Sequence, residues 1–323
     1  VETTGTMLMG SEIGAALTAL EPLGIDMIGM NCATGPDEMN EHLRYLSQNT
    51  TLPVSVMPNA GLPVLGANGA EYPLQAPELG IALRGFVQEH GLSMVGGCCG
   101  TTPEHISAVR DAVLGGNDFE PAVQAERHPQ HNNDVASLYQ SMPLTQETGI
   151  TMIGERTNAN GSKAFREAML AGDLEKCLEI AKDQVRDGAH LVDLCIDYVG
   201  RDGVEDMAQL AALMATNSTL PVMIDSTEPD VIRTGLEHLG GRSAVNSVNF
   251  EDGDGPDSRY QRIMRLVKEH GAAVVALTID EEGQARTADK KVEIAERLIE
   301  DITGSWGVLE EDIIVDCLTF PIS

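Results

Sequence analysis

Positive charge is what this sequence has least of: 21 Lys and Arg stand against 50 Asp and Glu, a formal net charge of −29 over 323 residues. Such a field repels phosphates instead of releasing their counterions, which excludes nucleic-acid backbones as partners. The acidic residues are spread along the chain instead of gathered in a tail, and read as a heavily solvated surface. No run approaches the roughly eighteen apolar residues of a membrane span, so no membrane partner is expected. The first residues, VETTGTMLMG, have neither the basic start nor the cleavage site of a signal peptide, and a cytoplasmic setting is the expectation. With no secretory signal, and with Cys98 and Cys99 adjacent among the six cysteines, metal binding or plain burial is expected ahead of disulfides. A dinucleotide-type glycine fingerprint after a first strand is also missing.

What is present is 42% hydrophobic content, ample for a large core, arranged as short β-rich runs each followed by apolar residues at helical spacing. In the first third the runs are residues 1–6, 26–30, 53–57 and 93–96. Met39, Leu43 and Leu46 mark one helix face, and Ile106, Val109 and Val113 another, opening with Thr102 as N-cap and Pro103 at the first helical position. Between residues 118 and 148 the periodicity fails in a stretch containing ERHPQHNND, which reads as an interdomain linker. Six further runs follow, at 151–154, 190–195, 221–225, 244–247, 272–278 and 313–316. Helix faces between them are marked by Leu174, Leu178, Ala181 and Val185, and by Val292, Ala295, Ile299 and Ile302. The alternation predicts parallel sheets covered by helices, either (β/α)₈ barrels or doubly wound sheets. The missing fingerprint, and polar residues just past the carboxyl ends of several strands, favour barrels.

Cys32 ends the run DMIGMNC, and Cys98 and Cys99 end SMVGGCC, so all three stand at carboxyl ends of expected parallel strands. Three thiolates around Zn²⁺ leave the fourth tetrahedral position open, as in catalytic zinc, and Gly96, Gly97 and Gly100 allow the tight turn that adjacent ligands need. Taken alone, a Cys-Cys pair with one distant Cys is also the pattern of small buried hydrophobes. The segments GMNCATGPDEM, MPNAGLP and GGCCGTTPEHI together resemble the homocysteine S-methyltransferase family over roughly residues 1 to 115. The resemblance implies that Cys32, Cys98 and Cys99 hold zinc and activate the thiol of homocysteine. It also implies that Asn59 lies at the rim of the metal site, the alternative being a simple Asx turn.

After the linker come IGERTNANGS, LVDLCID, PVMIDSTEP, AVNSVNFEDG, AALTIDEEGQA and DIIVDCLTFP, each polar cluster closing a strand. A pterin presents an amide and an aminopyrimidine edge that carboxylates and asparagines recognise by paired hydrogen bonds, and Asp225, Asn246 and Asp316 have suitable chemistry and position. Singly, each is equally a strand-end or helix cap. The ordered series resembles the pterin-binding methyltransferase domain of the cobalamin-dependent methionine synthase family, over roughly residues 149 to 323. That resemblance implies Glu155, Asn158, Asp225, Asn246 and Asp316 as contacts of methyltetrahydrofolate, with Asp193 in support. One departure stands out: Cys195 occupies a place where many relatives carry Asn. Cys177 and Cys317 read as packing residues.

The succession of both regions on one chain resembles the order in that same family. It implies two successive truncated barrels: residues 1–117 as the rear half of a zinc-dependent homocysteine barrel, 118–148 as linker, and 149–323 as about six strands of a pterin barrel. The implied activity is methyl transfer from 5-methyltetrahydrofolate through enzyme-bound cobalamin to zinc-activated homocysteine. The cobalamin-binding domain is expected elsewhere in a longer protein, of which this chain is a fragment inactive alone. Two alternatives remain: a zinc- and folate-binding scaffold without turnover, or a cobalamin-independent homocysteine methyltransferase fused to a pterin-binding domain.

Overall fold

In a computed structural model of the chain, residues 2, 4–66, 69–116, 118–130 and 132–319 are described, and the fold divides into two units, Val1–Asn132 and Asn133–Ser323. The first unit runs α1 (Ile13–Leu20), β1 (Ile28–Asn31), α2 (Pro36–Asn49), β2 (Val54–Met57), the hairpin β3 (Val64–Gly66) and β4 (Gly69–Glu71), α3 (Ala76–His90), β5 (Met94–Val95) and α4 (Pro103–Leu114). Strands β1, β2 and β5 form a parallel sheet in that order. Met39, Leu43 and Leu46, the face read from their spacing, are all fully buried against Val54, Val56, Leu79 and Leu83. On α4 the stripe is narrower than its spacing suggests, because Val109 is buried while Ile106 is exposed.

The run at residues 1–6 does not form the expected strand. Val1 and Thr3 lie outside the described residues. Gly5, at φ +88°, turns the segment back on itself, with Gly5 N–H donating to Glu2 O (3.0 Å) and Glu2 N–H to Thr6 O (2.7 Å). A chain closed on itself this way offers no ladder to a neighbouring strand.

The stretch read as a linker is tied down. Its first part lies across the amino ends of β2 and β5. Gln124 Nε2 donates to Gly91 O (2.9 Å), Arg127 Nη2 to Leu52 O (2.6 Å), and Asn132 Nδ2 to Asn49 Oδ1 (2.7 Å). Long polar side chains reaching separate carbonyls leave no hydrophobic period for a sequence reading to find. The rest of the stretch contributes a hairpin, β6 (Asp134–Ala136) and β7 (Ser141–Pro143), to the second unit.

That unit continues through β8 (Ile153–Gly154), α5 (Lys163–Ala171), α6 (Leu174–Arg186), β9 (Leu191–Leu194), α7 (Gly203–Asn217), β10 (Val222–Asp225), α8 (Pro229–His238), β11 (Ala244–Val248), α9 (Arg259–His270) and β12 (Ala273–Leu277). A short hairpin, β13 (Ile279–Asp280) and β14 (Gly283–Gln284), then α10 (Ala288–Gly304) and β15 (Ile313–Asp316) complete it. The six strands β8, β9, β10, β11, β12 and β15 pair in parallel, in chain order. Order without reversal has no switch point of the doubly wound kind. Side-chain caps start the helices: Ser162, Asp173, Ser258 and Thr287 each accept a backbone N–H from the first turn of α5, α6, α9 and α10.

Both faces of this sheet are buried, as parallel sheets require. Val192, Leu194, Val222, Ile224, Val245 and Val274 pack in the larger core with residues of the helices. The expected stripes are rotated. On α6 the buried residues are Cys177, Ile180, Ala181 and Gln184, and on α10 they are Ile294, Leu298 and Ile302, with Val292 exposed. Two overlapping sets satisfy helical spacing on each helix, and contact with the sheet selects between them. On the opposite face Leu191, Met223, Ala244, Ala273 and Val275 close around Val135 of the β6–β7 hairpin, which is fully buried.

One ion pair holds the hairpin there. Arg242, just before β11, exchanges backbone hydrogen bonds with Ala136 (2.8 and 2.9 Å). Its guanidinium donates to Asp134 O (2.9 Å), Gly271 O (2.7 Å) and both oxygens of Asp312 (2.9 and 2.7 Å). Both side chains of the pair are about 95% buried, at 4% and 5% exposure. Removing one partner leaves a buried charge uncompensated, so Asp312→Ala is expected to lower the unfolding free energy by about 3–5 kcal/mol. Urea unfolding checks this, and a loss under ~1 kcal/mol, the range of a surface pair, would contradict the clamp.

Candidate functional site

Two clusters of reactive side chains stand at carboxyl ends of parallel strands, one in each unit. In the first, Cys32 follows β1, and Cys32 and the next residue, Ala33, both adopt left-handed backbone (φ 62° and 63°). Non-glycine residues there are strained by roughly 1–3 kcal/mol each, a cost borne where a side chain must be aimed. Cys32 N–H donates to Met57 O (3.0 Å) and Cys98 N–H to Pro58 O (2.8 Å), so both cysteine segments hang from the end of β2. Gly97 packs where a methyl group would sit 2.3 Å from Thr101 Cγ2, and Gly100 takes φ +79° beneath the Tyr72 ring. These two glycines are the ones the turn requires.

The sulfurs of Cys32 and Cys99 are 3.6 Å apart and those of Cys98 and Cys99 4.0 Å, all three within 4.8 Å of one another. Ligands at a Zn–S distance of about 2.3 Å in a tetrahedron stand about 3.8 Å apart, so the donor set and its spacing fit that metal. The Cys32 thiol is held below its ordinary range, foremost by the Ala33 N–H and then by the Cys99 and Cys98 thiols, whereas Cys99, giving its hydrogen to Cys32, is raised.

Asn59 is buried between them. Its Oδ1 accepts the Cys99 N–H (3.1 Å) instead of an N–H of its own turn, and its side chain also meets Cys32. Tyr72, which carries no motif of its own, reaches Cys99 from the end of β4. A tyrosine behind a loop of variable character gives no sequence signal of such a contact.

In the second unit the register sets one face of the sheet. Asp225 of β10 is level with Asn246 of β11, Met223 with Asp193 of β9, and Leu277 of β12 with Asp316 of β15. Because side chains alternate, Asp193, Asp225 and Asn246 continue at the carboxyl end the same face that carries Leu191, Met223 and Ala244 at the amino end. Asn158 joins the first two: its Nδ2 donates to Asp193 Oδ2 and to Asp225 Oδ2, both at 2.9 Å, while its Oδ1 accepts the N–H groups of Asn160 and Gly161 (2.9 and 3.0 Å). Asp193 Oδ1 is buried with no hydrogen-bond partner among the described residues.

The other expected residues are placed differently. Asn246 lies beside Asp225, and its carbonyl accepts the Ser226 N–H (3.1 Å). Glu155 is exposed, within electrostatic reach of both aspartates but not bonded to them. Asp316 is exposed at the end of β15 and caps its own turn, accepting the Leu318 N–H at 2.7 Å. Cys195 is buried level with Asp225 and takes the Asn160 side-chain N–H at 3.5 Å. Burial, and then the Asp225 charge, push its thiol up to about 12, so it stays protonated. Of the two cysteines read as packing residues, Cys177 is buried and Cys317 exposed, since Cys317 follows the last residue of β15. Asp197 and Ser226 have no counterpart among the expected residues: the Ser226 hydroxyl lies 3.0 and 2.9 Å from the two oxygens of Asp197, joining the loops after β9 and β10.

Burial, and then repulsion from Asp225, push Asp193 up to about 7 from an ordinary 3.8, and Asp225 is likewise raised, by burial and then by Asp197. Between about pH 4 and pH 7 the folded chain therefore holds a proton at Asp193 that the unfolded chain releases. The stability linked to it is full below pH 4 and lost as the pH rises through 7, at about 1.4 kcal/mol for each tenfold difference in proton affinity between the folded and unfolded chain. Asp193→Asn, a neutral mimic of the protonated form, is expected to match the parent at about pH 3.5 and exceed it by more than ~1 kcal/mol at pH 8. Urea unfolding at the two pH values measures this, and parallel curves for the two proteins would refute it.

The family model described as pterin binding enzyme matches residues 154–323, and that described as homocysteine S-methyltransferase matches residues 1–113. A methionine synthase of Mycobacterium tuberculosis (strain ATCC 25618 / H37Rv) is 69% identical over 323 residues, which is 100% of this chain and 27% of that protein. A methionine synthase of Mycobacterium leprae (strain TN) is 67% identical over the same share of each. The chain thus spans about a quarter of the length of these curated relatives, 27%. A solved dihydropteroate synthase from Xanthomonas albilineans, in complex with 7,8-dihydropteroate, aligns with TM-score 0.41 at 14% identity, over 57% of this chain and 64% of that one. The chain belongs to the pterin-binding enzyme family through residues 154–323, and carries ahead of that region a stretch matching homocysteine S-methyltransferases.

Proposed function

We propose that this chain carries the homocysteine and folate sites of a methyltransferase that moves the methyl group of 5-methyltetrahydrofolate to homocysteine, giving methionine and tetrahydrofolate. The observation that carries the reading is the presence, on one chain, of a three-sulfur cluster and an asparagine-bridged pair of carboxylates. Each stands at carboxyl strand ends, where parallel βα folds gather their chemistry. The two units are read as parts of two barrels, residues 1–117 and 149–323 with 118–148 between them, working in the cytoplasm. The methyl carrier is read as cobalamin on a domain outside this chain.

Cys32, Cys98 and Cys99 would hold zinc, with Asn59 fixing two of the three through its amide. Zinc bound there supplies a Lewis acid that lowers the proton affinity of a coordinated substrate thiol. The chain's own contribution is to aim three sulfurs through left-handed backbone at Cys32 and a glycine-bounded turn at Cys98 and Cys99.

In the other unit Asp193 and Asp225 accept hydrogen bonds from the aminopyrimidine edge of the pterin, with Asn158 holding both carboxylates at one height and Asn246 beside them. Glu155 and Asp316 border that ring of groups. Asp193 Oδ1, buried without a partner, gains one when the pterin binds. A carboxyl that keeps its proton to about pH 7 can pass that proton to a pterin nitrogen as a general acid, becoming the carboxylate, and the protonated nitrogen makes the methyl carbon easier to transfer.

Assay of the full-length gene product for methyl transfer from methyltetrahydrofolate to homocysteine, with and without methylcobalamin, tests the whole reading. Transfer that ignores cobalamin would overturn the carrier. Cys98→Ser is expected to lose the bound zinc, measured as metal per chain, and unchanged stoichiometry would remove the thiol assignment. Asp225→Asn is expected to weaken methyltetrahydrofolate binding by roughly tenfold or more, the worth of a charged hydrogen bond, at unchanged zinc content. Titration calorimetry reads the affinity, and equal values for variant and parent would remove the carboxylate pair from the pterin site.

A further inference from the structure

Asn246 stands at the last rung of the pairing between β10 and β11, and among the described residues no side-chain hydrogen bond holds its amide. The backbone alone therefore sets where that amide points. There β11 carries one extra residue: Asn246 is opposite Val275 of β12 and Val248 is opposite the next residue, Ala276, so Ser247 has no counterpart on β12. A bulge of this kind re-aims the side chain beside it and interrupts the ladder that would otherwise fix its angle. Something outside the ladder has to hold the chain beyond it.

Phe250 supplies that hold. Its N–H donates to Ile279 O (3.0 Å) of β13, its own carbonyl accepts the Gly253 N–H (2.9 Å), and its ring is buried. The ring lies against Tyr260 of α9, with centroids 4.6 Å apart, and the Arg297 guanidinium of α10 lies over it, Cζ standing 4.0 Å from the ring centroid. The guanidinium is itself fixed by the loops. Nη1 and Nη2 each donate at 3.0 Å to one oxygen of Glu281, in the turn between β13 and β14, and Nη2 also donates to Asp254 Oδ2 (2.9 Å) in the loop after β11. That fork, foremost, holds the Glu281 carboxyl down to about 2. A guanidinium that is stacked and bidentate at once ties three segments to one plane, which an ammonium cannot do.

We propose that Arg297 is a positioning residue for the pterin site: through Phe250 it fixes the chain beyond the bulge, and so the direction of the Asn246 amide. The proposal rests on the pterin reading given above. Arg297 makes no hydrogen bond to Asn158, Asp193, Asp225 or Asn246 among the described residues, so it acts only through the segment it clamps. Its pairs are also too exposed to add much to stability, the side chains being 40% exposed for Arg297, 47% for Glu281 and 59% for Asp254. What the cluster contributes is geometry. Two loops and a helix are held in one plane behind a strand end whose own ladder is broken.

A double-mutant cycle on the full-length gene product separates positioning from general support. Affinity for 5-methyltetrahydrofolate is measured by titration calorimetry in the parent, Arg297→Lys, Asn246→Ala and the double variant. Lysine keeps the charge and loses both the fork and the flat face. Asn246→Ala alone is expected to weaken binding about tenfold. Arg297→Lys is expected to weaken it about fivefold in the parent background and less than about twofold once Asn246 is replaced, because the group it aims is then gone. Equal weakening in both backgrounds, or none in the parent, overturns the positioning role. Parent-like binding by Asn246→Ala removes Asn246 from the site and the proposal with it, while the Asp225→Asn measurement still decides the carboxylate pair. Absence of binding by the parent overturns the pterin reading as well. Glu281→Gln breaks the same fork at an exposed residue and serves in the cycle if Arg297→Lys lowers the thermal midpoint; the same non-additivity is expected of it, and additive losses there overturn the proposal equally.

Discussion

In a parallel sheet every strand delivers its carboxyl end to the same side, and each strand's alternate residues face the same way as those of its neighbours when the register is kept. That constraint governs the second unit. Leu191, Met223, Ala244 and Ala273 make one apolar patch at the amino ends, and Asp193, Asp225 and Asn246 make one polar patch at the carboxyl ends of the same face. A slip of one residue on β10 would send Asp225 toward the helices and Ile224 into the polar patch. The β6–β7 hairpin and the Arg242–Asp312 pair act at the opposite end, closing the apolar patch where water would otherwise reach it. Stability and chemistry are thus separated along the strands.

The same separation explains how the carboxylate pair can exist. A buried aspartate and a half-buried one near each other repel, and Asn158 relieves this only in part, since one amide nitrogen serves both. What remains is relieved by a proton retained on Asp193 and on Asp225 beyond the ordinary carboxylate range. The unit therefore keeps a destabilised polar cluster at one end because its core and buried ion pair hold the other. Local strain at Cys32 and Ala33 is a smaller case of the same exchange in the first unit, where backbone bonds to Met57 and Pro58 fix the cysteine segments.

The residues that cluster in each unit are in good part legible in the sequence. Cys32, Cys98 and Cys99 end strand-like runs, and strands that run parallel bring such ends together, so their convergence follows from topology. Asn158, Asp193 and Asp225 were recognisable as an ordered series. Less legible were the partners that come from other segments: Tyr72 against Gly100 and Cys99, Asn160 against Cys195, and Ser226 against Asp197. These contacts join residues separated by tens of positions, and neither residue alone has a pattern that announces the other. Asp316 illustrates the converse, a residue of the right type at a strand end whose carboxylate is taken by its own turn.

The sequence by itself determined the alternation of strands and helices, the location of the nine strands of the two parallel sheets, and the residue types gathered at the strand ends. Hydrophobic period and turn chemistry are local properties and are written locally. Only the tertiary structure decided which of two equivalent stripes of α6 and α10 faces the sheet. It also decided that Gln124, Arg127 and Asn132 strap their stretch to the first unit, and that residues 134–143 form a hairpin that plugs the second. Those outcomes depend on which surfaces compete for the same segment, and burial settles such competition only when the whole fold is in place.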